Sequence, residues 1–239
     1  KGRIREVFGP EAAEQVYRLY ESLKRLERLE DLFAGSISLT DLSSDPEPLV
    51  YLVADMLNRA SRFEGRGEFL VTALHYYRAL EMGFQALLIC KYGVDPSNPD
   101  YPGLADRLGV SLDEVRRAYL DEGERFSSEV KESFLKKDLP GKLSLVDSYL
   151  LLRSIGDPVA RSISYRELYN GLEARNVSIL VHGFRVIRDS RDRSLRNLRN
   201  MARKVFEKIA RELTKKDPEE LLMNVKRFEE VATYVPGRV

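Results

Sequence analysis

Arg175 and His182 are the residues whose types and spacing best suit chemistry, within the run Arg175-Asn176-Val177-Ser178-Ile179-Leu180-Val181-His182-Gly183. On a helix, seven positions at ~100° each return to within ~20° of the start and ~10.5 Å further along the axis. One ligand is then within reach of both side chains. A guanidinium is always charged and forks onto phosphate oxygens, whereas imidazole exchanges a proton near neutral pH. Together they suit phosphodiester chemistry. The chain is rich in arginine, so spacing alone is weak evidence. Context strengthens it: polar Asn176 follows the arginine, Ile179, Leu180 and Val181 fill a buried side, and Gly183 stands where a helix would stop. The other histidine, His75, has Glu68, Phe69 and Leu70 upstream and fails the pattern.

Helices must position these groups. Ser164 with Glu167 forms a capping box that opens the helix expected to carry Arg175 and His182. Upstream, Pro10 opens a helix whose Val16, Leu19, Leu23, Leu26 and Phe33 make an apolar stripe ending at Gly35. This is an amphipathic arm, followed by a linker from Ile37 to Glu47. Pro48 starts a helix through Arg62, and Gly65-Arg66-Gly67 makes a turn. Leu70, Ala73, Tyr77, Leu80, Phe84 and Leu87 form the next stripe, ended by Gly93, with His75 and Tyr76 off it. Asp95 to Pro102 reads as a loop, and Ser111 with Glu114 caps another helix. Short helices are expected over Ser127 to Lys137 and Ser144 to Arg153. A helix from about Ser190 to Leu213 and a last one from Asp217-Pro218 complete an all-α bundle.

The composition excludes several chemistries. With 239 residues, 43% hydrophobic and 32% charged, the chain has the balance of a globular protein of one large or two small domains. Its formal charge of +1 means that any nucleic-acid affinity must come from a local patch. Two histidines and the single Cys90 argue against a dedicated transition-metal site and against an internal disulfide. No phosphate-binding Gly-rich loop or serine nucleophile elbow occurs, and no cofactor is expected. Apolar runs fall short of the ~18 residues that would span a bilayer, and no charged-then-apolar leader opens the chain. A cytoplasmic protein without membrane contact is the expectation.

Metal-free acid-base and electrostatic catalysis remains. For RNA it is sufficient, because the ribose 2′-hydroxyl can attack the adjacent phosphorus once it is oriented, protons are moved and the transition-state charge is stabilised. Arg175 is assigned to phosphate and transition-state binding. His182 is assigned to proton transfer or to positioning the 2′-hydroxyl, and a helix C-terminus would favour its protonated form. Asn176 either bonds the ribose and orients its neighbours or is an ordinary surface asparagine. Beyond the histidine, Arg185, Arg188, Arg196, Arg199 and Arg203 are candidate RNA contacts, opposed locally only by Asp189 and Asp192. The alternative is a solvated helix face.

The Arg175 to Gly183 segment resembles the signature of HEPN-domain ribonucleases carried by CRISPR-associated ancillary proteins of type III systems. Asp55-Met56-Leu57-Asn58-Arg59-Ala60, the spacer with Gly65 and Gly67, and Tyr76-Tyr77-Arg78-Ala79-Leu80-Glu81 are similar to the paired helices before the catalytic motif of that family. The resemblance spans roughly Pro48 to Gly183. It implies a HEPN-like helical bundle over residues 46–239, preceded by the arm and linker at 1–45. It also implies a metal-independent endoribonuclease that cuts single-stranded RNA in antiviral defence, leaving a 2′,3′-cyclic phosphate and a 5′-hydroxyl. A homodimer would combine two motifs in one cleft. The family usually adds an N-terminal CARF sensor for cyclic oligoadenylate, and no Gly-rich alternating strand region of that kind occurs in these residues. The competing reading is a non-catalytic HEPN-like scaffold or protein-interaction module, since a helical bundle does not dictate function.

Overall fold

The computed structural model describes residues 9–10, 14, 16–17, 20, 24, 41–131, 136–176, 187, 189–223 and 225, with the backbone alone at 43 and 173–176. All regular elements among them are helical, in an all-α bundle. The principal ones are α1 (Glu47–Gly65), α2 (Phe69–Tyr92), α3 (Tyr101–Leu108), α4 (Leu112–Val130), α5 (Leu145–Ser154), α6 (Pro158–Arg161), α7 (Tyr165–Asn176) and α8 (Arg193–Ile209). A 3-10 turn at Asp41–Ser43 precedes α1, and a π-helical turn at Ala210–Thr214 extends α8. No helix among the described residues is long and apolar enough to cross a membrane.

The central helix is α2, packed against α1, α5, α7 and α8. With neighbours on so many sides it has no single stripe: Thr72, Ala73, Tyr76, Ala79, Leu80, Phe84, Ala86, Leu87 and Leu88 are all buried. The expected stripe is correct at Ala73, Leu80, Phe84 and Leu87, whereas Leu70 and Tyr77 sit at its rim. Tyr76, read as off the stripe, is only 1% exposed. Gly83 lets α8 approach closely, because a Cβ there would lie 2.7 Å from Val205 Cγ1. Since Val205 is stiff at χ1, the contact cannot be relieved by a rotamer change alone.

Helix ends follow the local chemistry. Gly67, at φ +76, closes α1 in a Schellman arrangement in which Glu68 N–H donates to Phe63 O at 2.9 Å and Gly67 N–H to Glu64 O at 3.0 Å. Capping boxes open α4 at Ser111 and Glu114 and α5 at Ser144 and Asp147. Two expectations are corrected, and one short helix is added. The segment at Asp95 to Pro102 is shorter as a loop than its prolines suggested, because Asp100 caps α3 and Pro102 falls in the first turn, where its missing N–H costs nothing. Ser127 opens no new helix; α4 runs through it to Val130, and Lys131 ends it at φ +60. Asp157 caps α6, which periodicity does not reveal in four residues.

Leu42 is fully buried and its carbonyl accepts from Cys90 Sγ at 3.7 Å, so part of the expected linker is anchored to the bundle. Of the N-terminal arm, Glu14, Val16, Tyr17, Tyr20 and Lys24 are helical. Leu19, Leu23, Leu26 and Phe33 of its expected stripe lie outside the described residues.

Candidate nucleic-acid interface

The helix expected to carry the chemistry begins as its sequence dictates. Ser164 N–H donates to Glu167 Oε2 at 2.7 Å, and Glu167 N–H donates to Ser164 Oγ at 3.2 Å. The bond from the Ser164 backbone holds the Glu167 carboxyl below its usual pKa. Tyr165, Leu168 and Leu172 then turn into the core. Gly171 faces α8, where a Cβ would come 2.5 Å from Met201 Cε and 3.5 Å from Leu198 Cα. The backbone is helical through Arg175 and Asn176, in the last turn of α7. His182, Arg185 and Arg188 lie outside the described residues.

The two helices of this pair run antiparallel. Near the start of α7, Lys204 Nζ donates to Ser162 O at 2.6 Å, and Gly171 meets Leu198 and Met201 further along. Arg175, four residues and about 6 Å beyond Gly171, therefore belongs beside the first turn of α8. That turn is capped by Asp192, whose Oδ1 accepts from the N–H groups of Ser194 at 2.9 Å and Leu195 at 3.3 Å. Downstream, Leu195, Leu198, Ala202, Val205, Phe206 and Ile209 bury one face of α8. Arg193, Arg196, Asn200 and Arg203 are exposed on the other.

Of the five arginines assigned to RNA binding, the three on α8 differ in their surroundings. Arg196 and Arg203 are exposed. Arg199 is half-buried and its Nη1 donates to Glu64 Oε1 at 2.6 Å. The second oxygen of Glu64 accepts from the Tyr76 hydroxyl at 2.9 Å. Burial first, and the Glu64 carboxylate second, raise the Tyr76 pKa well above its ordinary value. One carboxylate thus ties α1, α2 and α8 together. Counting only Asp189 and Asp192 against the basic run missed Glu64, which is 135 residues away in sequence. Lys204 is also spoken for, by Ser162 O.

These contacts bring the C-terminal end of α1, the N-terminal ends of α2 and α8 and the C-terminal end of α7 to one end of the bundle. His75 lies there too. Its Nδ1 lies 2.9 Å from Val71 O, which as a carbonyl oxygen can only accept. Its ring packs against that of Phe63 at a 35° tilt, with centroids 5.0 Å apart. Among the described residues no group of three histidine, cysteine or acidic side chains could hold a metal ion.

The described residues thus form an all-helical domain with arginines along the exposed face of α8. The model of the Csm6 HEPN domain family matches residues 42–208, and the chain belongs to this CRISPR-associated family. The matched region runs from the turn before α1 into the last turn of α8 and encloses Arg175, Asn176 and His182. The comparison with curated proteins found no match.

Proposed function

We propose that this protein is a metal-independent endoribonuclease of CRISPR-associated antiviral defence. The observation that carries the reading is the Csm6 HEPN match across Arg175, Asn176 and His182. Support comes from the position of Arg175 in the last turn of α7, next to a helix with arginines on its outer face. In this reading Arg175 binds the scissile phosphate and the charge that grows on it in the transition state. His182 moves a proton or positions the 2′-hydroxyl, and Asn176 bonds the ribose. The attacking oxygen belongs to the substrate, so the 2′-hydroxyl closes on phosphorus, the 5′-oxygen leaves with a proton, and a 2′,3′-cyclic phosphate results. DNA, lacking that hydroxyl, is spared.

Single-stranded RNA is the substrate, and Arg185, Arg188, Arg196 and Arg203 supply phosphate contacts. Arg199 contributes chiefly by holding α8 to α1 through Glu64. One arginine and one histidine make a sparse site, so two copies pair about a two-fold axis and share a cleft in the cytoplasm. A CARF sensor for cyclic oligoadenylate would act from outside these residues.

The test is cleavage of labelled single-stranded RNA in excess chelator by the parent, Arg175→Ala and His182→Ala. Acid-base help is worth ~10²–10⁴ in rate and one electrostatic donor ~10²–10³, so each substitution should nearly abolish cutting. Equal cleavage by all three would refute the assignment. No cleavage by any would favour the non-catalytic scaffold.

A further inference from the structure

The tip of the α1–α2 hairpin carries a second constellation that the motif reading does not use. Arg59 and Arg62 on the outer face of α1 and Arg66 at its C-cap recur at intervals of three and four, and all three are exposed. Arg62 and Arg66 are one turn apart, about 6 Å along the axis, which is the scale on which neighbouring phosphates follow one another in a single strand. Arg59 is partly neutralised by Asp55, whose Oδ2 accepts from its Nε at 2.7 Å. Burial first lowers the Arg62 pKa; Asp55 opposes the shift, and the like charges of Arg59 and Arg66 add to it. An anion laid along three such closely spaced cations is favoured by their combined field.

Aromatic surface stands among these cations. Phe63, between Arg62 and Arg66, is half-buried, packs against His75 at a 35° tilt with centroids 5.0 Å apart and lies under the Arg66 guanidinium at 5.9 Å. Alternating guanidinium groups and rings are what unpaired nucleotides bind, through their phosphates and the π-faces of their bases. The tip is also pre-ordered. Arg66 N–H donates to Arg62 O and Phe63 O, each at 3.2 Å, and the Gly67 closure fixes the backbone beyond. Little conformational entropy would be lost on binding. Glu64, on the opposite face of the same turn, bonds Arg199 and Tyr76, so the tip is braced against α8 at the end of the bundle that holds Arg175.

We propose that the hairpin tip is an accessory single-stranded RNA contact, in which Arg62 and Arg66 hold consecutive phosphates and Phe63 with His75 stacks a base. The proposal rests on the ribonuclease reading for its choice of RNA, but it concerns affinity rather than cleavage. A strand reaching the motif would extend over α1, giving binding without sequence preference.

The probe is a fluorescent 2′-O-methyl oligouridylate of about 12 nucleotides, within the usual reach of such sites and lacking the attacking hydroxyl. Its affinity is measured by anisotropy across a salt series. The double variant Arg62→Glu, Arg66→Glu should bind at least about 10-fold more weakly, with a salt slope shallower by roughly 1–1.5 for two lost phosphate contacts. Arg117→Glu with Lys137→Glu, equal in charge change and away from the tip, should cost under about 3-fold. Phe63→Leu, which keeps an apolar side chain, should weaken binding about 5-fold or more with the slope unchanged. Thermal melts check that each variant folds, and if Phe63→Leu does not, the arginine pair decides. Equal loss in the tip and control pairs, or no binding by the parent, overturns the proposal. Tip-dependent binding without RNA cleavage would sink the ribonuclease reading alone, and Arg175-dependent cleavage with tip variants that bind normally would sink this one alone.

Discussion

Arg199→Ala separates a structural arginine from its exposed neighbours. The substitution removes the 2.6 Å bond to Glu64 Oε1 and leaves that carboxylate the Tyr76 hydroxyl at 2.9 Å. The Glu64 side chain is only 14% exposed, so water replaces the lost donor poorly, whereas Arg199 at 29% exposed gave up only part of its own hydration. A bond to a charged group contributes about 1.5–3 kcal/mol, and partial exposure moves the expectation to about 2 kcal/mol. For a domain of this size that is a fall of roughly 4–8 °C in Tm. Arg196→Ala and Arg203→Ala, on the exposed face, should each change stability by no more than about 0.5 kcal/mol. Calorimetry on the three variants provides the comparison, and a double-mutant cycle with Glu64→Gln should return a coupling of about 1–2 kcal/mol. Equal melting of all three variants, or no coupling in the cycle, would refute the brace.

Asp157 is fully buried, accepts from Val159 and Ala160 N–H at 2.8 and 3.1 Å, and also receives Lys91 Nζ at 2.9 Å and Tyr92 OH at 2.8 Å. Asp157→Ala should therefore cost about 3–5 kcal/mol in urea unfolding, and Asp157→Asn, which keeps the cap, clearly less; equal losses would contradict this. Burial, and secondarily Asp45, push the Cys90 thiol up to about 12, so thiol reagents at pH 8 should modify it only on unfolding. Rapid native labelling would show the environment to be wrong. Burial and the bond to Asp157 push Tyr92 up to about 12, and burial also raises Tyr76, Tyr119 and Tyr149. A raised folded pKa means that stability is intact below about pH 10 and is lost as pH climbs, because the unfolded chain releases these protons first. Absorbance at tyrosinate wavelengths should report only part of the 12 tyrosines by pH 11 in the native state, and a full titration centred near 10 without unfolding would refute it.

The local signals were readable because their causes are local. Ser111 with Glu114, Ser164 with Glu167 and the glycines after α1 and α2 act within one turn, so sequence alone places those ends. The all-α class and the HEPN family were also legible in the sequence. Tertiary structure decided what depends on partners distant in the chain. Tyr76 enters the core because α2 is enclosed by several helices rather than resting on one, and periodicity cannot say how many neighbours a helix has. Arg199 is paired because Glu64 comes to it from another helix. Charge along a segment is a property of sequence, but the charge a ligand meets is set only when folding decides which of those groups are already paired.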